Sequence, residues 1–175
     1  MSTDLTFITN EEGNKLVDRF STLIKHSRLF DCLVGYFYVT GFCSLYKALE
    51  ETEKIRILVG ISTDSNTFGL IQESKEESLQ LSHKETKDLF STQVIQELSG
   101  SDESLNVEEG INKFIEWIKA KPPRLEIHVC PTEKIHAKLY ILTFKDGEMD
   151  KGRVITGSSN FTRSGLRENL ESKAI

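Results

Sequence analysis

Two short groups of polar residues interrupt apolar β-strand patterns near the end of the chain. The first is His136 and Lys138, and the second is Gly157, Ser158 and Asn160. Residues two apart on a strand point to the same face, so each group is expected to present its side chains together. An imidazole can attack phosphorus or transfer a proton, whereas ammonium, hydroxyl and amide groups bind phosphate oxygens, and a glycine allows close approach to the backbone. The spacing therefore predicts a phosphate-binding pocket that contains a nucleophile.

The two groups are expected to lie on the two strands of a β-hairpin. Residues 135–144 and 153–158 have strand patterns, and the turn between them contains an Asp-Gly pair at 146–147 and a closing Gly152. Such residues are typical of hairpin turns. Beyond the hairpin, Glu171 either returns to the pocket and accepts a hydrogen bond from the imidazole, which would set its tautomer, or is a solvated carboxylate. The sequence leaves both alternatives open.

The preceding elements predict the fold class. A helix is expected at residues 9–27, a strand at 30–39, a short helix at 41–51 and a second strand at 54–61. The order strand, helix, strand favours a right-handed crossover with parallel strands. Both strands are continuously apolar, so we expect the middle of a sheet that is buried on both faces.

The rest of the pattern completes one domain. Its segments are a polar loop at 62–82, a helix at 84–98, a break at 100–103, a helix at 107–120 and a strand at 125–130. Helices on both sides of a mixed, mostly buried sheet predict a layered α/β/α fold over residues 1–175. The chain ends where a further strand would be expected, and we interpret it as the front part of a longer protein.

Composition restricts the class of protein. The chain has 175 residues, of which 38% are hydrophobic, and no apolar run approaches the about 20 residues that span a bilayer. The polar start lacks a secretory signal, and the three cysteines lack metal-ligand spacing, so we expect a cytoplasmic protein with reduced core cysteines and with no metal or cofactor. The net charge of −5 argues against gripping nucleic acid by bulk charge, but it allows a local phosphate site. No nucleotide-binding G-x-x-x-x-G-K-[ST] motif is present.

The ordered set of polar residues resembles the phospholipase D superfamily. The family pattern is H-x-K-x4-D-x6-G-S-x-N with a later Glu, and the matching residues here are His136, Lys138, Gly157, Ser158, Asn160 and Glu171. The segments at 34–37 and 55–60 are similar to the front half of phospholipase D-like domains that precede helicase motors in bacterial helicase-like proteins. The resemblance runs from about Phe30 to Glu171. It departs from the family at Thr143, which replaces the Asp, and in a longer gap between the two halves.

The resemblance implies a mechanism and partners. His136 would form a phosphohistidine without a metal, Lys138, Ser158 and Asn160 would bind phosphoryl oxygens, and Glu171 would orient His136. The family site needs two histidines, so a homodimer would supply the second. Nucleic acid is the expected substrate, a helicase motor is expected in cis, and no membrane is expected to be involved.

Other interpretations are kept open. One alternative is a non-enzymatic phosphate- or DNA-binding or dimerisation module, and another is that His136 and Lys138 are ordinary exposed strand residues. Tyr36 and Phe37 are interpreted as core residues. Arg163 and Arg167 could contact a nucleic-acid backbone. The remaining histidines, at 26, 83 and 128, are interpreted as surface or edge residues.

Overall fold

The described part of the chain forms both helices and strands. The computed structural model of the protein describes residues 15–63, 67, 69, 71, 101–130 and 135–167. The described elements are α1 (Leu16–Ile24), β1 (Ser27–Phe37), α2 (Val39–Cys43), α3 (Tyr46–Leu49), β2 (Lys54–Thr63), α4 (Ser101–Lys119), β3 (Leu125–Val129), β4 (Leu139–Phe144), β5 (Gly152–Thr156) and α5 (Arg163–Arg167). The predicted helix at 84–98 and Glu171 lie outside the described residues.

The strands form one mixed sheet in the order β3-β2-β1-β4-β5. β1 pairs in parallel with β2, and β2 with β3, whereas β4 runs antiparallel to both β1 and β5. The predicted parallel crossover and the predicted hairpin are therefore both confirmed. The hairpin turn contains Gly147 at φ 98°, a conformation that favours glycine. The chain is a mixed α/β protein with a five-stranded sheet flanked by helices.

The core lies on one face of this sheet. Alternate strand residues are buried under the helices, namely Phe30, Cys32 and Val34 of β1, Ile55, Ile57 and Val59 of β2, and Tyr140 and Leu142 of β4. Phe20 of α1 packs edge-on against Phe30 and Tyr140, and Phe114 of α4 stacks on Phe37. The aromatic and β-branched side chains of the strands thus meet the apolar stripes of the helices.

The opposite face of the sheet is open among the described residues. Arg56, Leu58, Ile141 and Val154 are exposed there, and Val154 reaches 49% exposure. The expectation that both faces are buried is therefore wrong for β2, whereas the residues of β1 on this face are half-buried. Continuous apolar character did not distinguish a face packed on helices from one that presents leucine and valine to solvent.

Helix boundaries differ from the predictions. The break predicted at 100–103 is wrong for residues 101–103, which belong to α4. The helix predicted at 41–51 is instead two short helices, α2 and α3. None of the described helices is long and apolar enough to cross a membrane.

Candidate active site

The candidate site lies at the carboxyl edge of the parallel strands, where α/β sheets commonly bind ligands. Residues 135–138 precede β4 and are not part of a strand. The Ile135 N–H donates to the Gly60 carbonyl of β2 at 3.1 Å, and Leu139 pairs with Leu33 of β1. Because β1 lies between β2 and β4, this segment must leave the sheet plane to pass β1. The prediction that His136 and Lys138 lie on a strand is therefore wrong.

Gly60 allows the segment to pass so close to β2. A Cβ atom at this position would lie 2.3 Å from the Ile135 oxygen and 2.4 Å from the Ile135 Cβ. Real Cβ atoms do not approach other atoms so closely, so any side chain here would displace the segment that begins at residue 135. The absence of a side chain at Gly60 thus helps to position His136.

His136 and Lys138 are in contact. Lys138 continues the buried row of Tyr140 and Leu142, and its side chain has only 5% exposure. Its Nζ lies 2.8 Å from Nδ1 and 3.2 Å from Nε2 of His136, and donates to the His136 carbonyl at 3.0 Å. His136 itself is exposed. A buried ammonium is thus held against an imidazole that solvent or another molecule can reach.

The second group begins where β5 ends. The Gly157 N–H donates to the Lys138 carbonyl at 3.3 Å, which continues the β4–β5 register for one more residue. Ser158 is exposed, whereas Ser159 is buried and its carbonyl accepts a hydrogen bond from the Tyr140 hydroxyl at 2.8 Å. The backbone of this segment is therefore tied to both Lys138 and the core.

Asn160 is held by β1 rather than by the hairpin. Its Oδ1 accepts a hydrogen bond from the Tyr36 N–H at 3.0 Å, and Phe161 forms a parallel bridge with Phe37. The register of β1 shifts between Val34 and Tyr36, which is typical of a β-bulge. This bond orients the amide, whose NH2 group remains a hydrogen-bond donor.

Of the three remaining candidates, only Thr143 and Asp150 lie within the described residues. Glu171, proposed to orient His136, lies outside the described residues. Thr143, at the family's Asp position, sits at the far end of β4, where it pairs with Leu29 and Gly152. Asp150, a conceivable substitute, belongs to the hairpin turn and binds Arg153 at 2.5 Å. Neither Thr143 nor Asp150 therefore contributes to the pair of His136 and Lys138.

Metal-ligand clusters are not found in the described ranges. No group of three His, Cys, Asp or Glu side chains there could hold a metal ion. The cysteines form no disulfide, and Cys32 and Cys43 are buried, while Cys130 is half-buried. Burial raises the pKa of the Cys32 thiol well above its ordinary value, so this thiol stays neutral in the core.

No family model matches the chain, and no curated protein sequence matches it.

Sequence reasoning missed the groups that position the site. The Tyr140 hydroxyl donates to the Ser159 carbonyl, and the lack of a side chain at Gly60 leaves space for Ile135. The Tyr36 N–H donates to the Asn160 side chain. The glycine that ends the apolar run at 55–60 was a signal for close backbone approach. The other two contacts join residues more distant in sequence and left no local pattern.

Proposed function

We propose that the protein is a metal-independent phosphodiesterase of the phospholipase D type that acts on nucleic acid. In this proposal the domain belongs to a helicase-like protein, works as a homodimer, and has the fold of that family, whose second helical layer would cover the sheet face that is open among the described residues. One observation carries the proposal: the buried Lys138 ammonium lies 2.8 Å from Nδ1 of the exposed His136 imidazole. A cation beside an accessible imidazole is suited to binding an anion that the imidazole then attacks.

The reaction would occur in two displacement steps. A ring nitrogen of His136 attacks phosphorus, the bond to the leaving oxygen breaks, and the imidazolium of the partner's His136 protonates that oxygen. Water then attacks phosphorus, the partner's His136 takes its proton, and the phosphorus–nitrogen bond breaks to release the phosphate monoester. Lys138 and the NH2 group of Asn160 would stabilise the charge that develops on the phosphoryl oxygens.

Lys138 would change partner when the substrate binds. In the free protein its ammonium lies close to both ring nitrogens of His136, at 2.8 and 3.2 Å. A phosphoryl oxygen carries negative charge and forms a stronger hydrogen bond with an ammonium than a neutral imidazole does. We therefore expect the substrate to draw Lys138 away from the ring and to leave the imidazole ready for attack.

The test is hydrolysis of bis-p-nitrophenyl phosphate and of an oligonucleotide in EDTA. We expect His136→Ala to lower turnover by about 1,000-fold or more, because the nucleophile is lost. His128→Ala is the matched control, since His128 is also exposed but lies on β3, and it should retain the wild-type rate. Equal rates for the wild type and His136→Ala would exclude the mechanism.

A non-enzymatic phosphate-binding module is the second candidate. It is favoured by Thr143, which replaces the family's Asp, and by the hydrogen bonds that already hold Lys138 against His136. In that case the protein would bind DNA or sulfate at this pair without turnover, and no phosphohistidine would be trapped on rapid denaturation. Trapping a phosphohistidine that disappears in His136→Ala would exclude this candidate.

A further inference from the structure

A cavity lies between α2, α3, the first part of α4 and α5. Its volume is about 360 Å³, enough for a phosphate group with an attached sugar. The described residues that line it are Thr40, Cys43, Ser44, Tyr46, Lys47, Asn106, Val107, Arg163 and Arg167. Three of these side chains are cationic and none is a carboxylate, although the whole chain carries a net charge of −5.

The polar groups of the cavity are arranged to favour an anion. Lys47 is exposed and donates through Nζ to Oδ1 of Asn106 at 2.6 Å, while Arg163 and Arg167 are half-buried. Tyr46 donates a hydrogen bond through its hydroxyl to the exposed Glu109 carboxylate at 2.8 Å. An ammonium and two guanidinium groups in one concave surface match the donors that bind phosphate oxygens.

Two further ionisable groups line the cavity, the Cys43 thiol and the Tyr46 hydroxyl. Burial raises the pKa of the Cys43 thiol to about 12. Burial and the hydrogen bond to Glu109 also raise the pKa of Tyr46 above its ordinary value. Both groups are therefore protonated near neutral pH, and the positive charge of Lys47, Arg163 and Arg167 is not offset by them.

The cavity and the candidate active site share structural supports. Arg163 begins α5 three residues after Asn160. A Cβ at Gly165 would lie 2.4 Å from the backbone carbonyl oxygen of Asn160, so α5 packs against the backbone of Asn160. On the other side, Tyr36 binds Asn160 and leads directly into α2, which contributes Thr40. The cavity is thus adjacent to the residues that hold Asn160.

We propose that this cavity binds a backbone phosphate of a nucleic-acid strand whose neighbouring phosphodiester lies at His136. This inference rests on the proposed function, because it assigns the substrate class of the same site. Lys47, Arg163 and Arg167 bind the phosphate by charge and hydrogen bonds, without reading bases. A free nucleotide and inorganic phosphate carry the same chemical group, so the test includes both.

The test measures binding of a fluorescent single-stranded oligonucleotide by anisotropy over a range of salt concentrations. Lys47→Gln and Arg163→Gln are each expected to weaken binding about tenfold at low salt, since each removes a charge-assisted hydrogen bond. Each should also reduce the slope of log affinity against log salt by about 0.7, the value for one single-strand phosphate contact. Lys47 is exposed, so its substitution remains informative if an arginine variant folds poorly.

Two matched controls separate the cavity from general surface charge. Arg28 lies at the start of β1, at the opposite edge of the sheet, and Lys113 lies on α4 with its ammonium 3.1 Å from Glu116. Arg28→Gln and Lys113→Gln should leave affinity and salt slope unchanged. Equal losses in controls and cavity variants, or no loss in the cavity variants, would overturn the proposal.

Competition identifies the ligand. An unlabelled oligonucleotide should displace the probe at far lower concentration than a mononucleotide or inorganic phosphate, whereas displacement by the mononucleotide at equal concentration would overturn assignment to a strand.

Binding can be measured without turnover, so the cavity site and the phosphodiesterase can each be disproved without the other. Cavity-dependent binding without hydrolysis removes the phosphodiesterase, and His136-dependent hydrolysis with binding that is insensitive to Lys47 and Arg163 removes the cavity site.

Discussion

Tyr140 is the residue that ties the candidate site to the core. Its ring lies in a cluster with Phe20, Phe30 and Phe161, and its hydroxyl donates to the Ser159 carbonyl at 2.8 Å. Burial raises the pKa of this phenol well above its ordinary value, and the nearby Cys32 adds to the effect. The hydroxyl therefore stays protonated and can act as a donor in the apolar interior.

We predict that Tyr140→Phe destabilises the protein by about 1–2 kcal/mol, because the buried Ser159 carbonyl loses its donor. The measurement is the free energy of unfolding in urea. Tyr38→Phe is the matched control, since Tyr38 is 36% exposed, and its effect should stay within about 0.5 kcal/mol. If the two substitutions cost the same, the hydrogen bond to Ser159 has no net stabilising effect.

At the scale of elements, a segment outside any strand carries the candidate nucleophile. Residues 135–138 pass from β2 on one side of β1 to β4 on the other. Their position depends on contacts with Gly60 at one end and Gly157 at the other. Loops held by a rigid sheet edge commonly carry catalytic groups, since the sheet determines where they lie.

We predict that Gly60→Ala lowers both turnover and stability. The new methyl group would require the backbone at Ile135 to move, which should cost about 1–3 kcal/mol in the free energy of unfolding. A displacement of His136 by about 1 Å should lower turnover by about 100-fold. Urea unfolding and hydrolysis of bis-p-nitrophenyl phosphate measure the two effects on the same preparation.

Gly69→Ala is the matched control for this glycine. A Cβ at Gly69 meets no atom within 4 Å, and the residue is exposed and helical, so alanine there should be neutral or slightly stabilising. Wild-type turnover in Gly60→Ala would mean that the contact between β2 and residue 135 does not position His136.

At the scale of the whole molecule, periodic patterns predicted which elements form but not how the faces are covered. The strand patterns at 30–39, 54–61 and 125–130 each correspond to an observed strand, and the Asp-Gly turn correctly predicted the hairpin. These signals are local, since they depend on neighbouring residues and turn chemistry. The open sheet face and the passage of residues 135–138 over β1 depend on contacts between distant segments.

The candidate site could be predicted only in part, because it also depends on contacts between distant segments. His136 and Lys138 are in contact, but the strand from which the sequence predicted their proximity does not form at residues 135–138. The partner of Asn160 could not be predicted, because the Tyr36 N–H is available only where the β1 register shifts. A backbone donor carries no sequence signature of its own.

Homodimerisation is the property of the whole molecule that the proposed mechanism requires. His136 is exposed, as a site shared between two copies would require. In a twofold dimer the same surface of both copies forms the interface, and one interface brings the two imidazoles together. Each active site would then need an intact His136 from both chains.

We therefore predict that inactive chains suppress active ones. If wild type and His136→Ala are mixed in equal amounts and allowed to exchange subunits, about half of the wild-type chains will pair with a variant chain. Turnover per wild-type chain should then fall to about half, because a mixed dimer has only one of the two required imidazoles. The same mixture made with His128→Ala should keep full turnover per chain. Unchanged turnover per wild-type chain in the first mixture, with exchange verified by differently labelled subunits, would mean that a single chain holds a complete site.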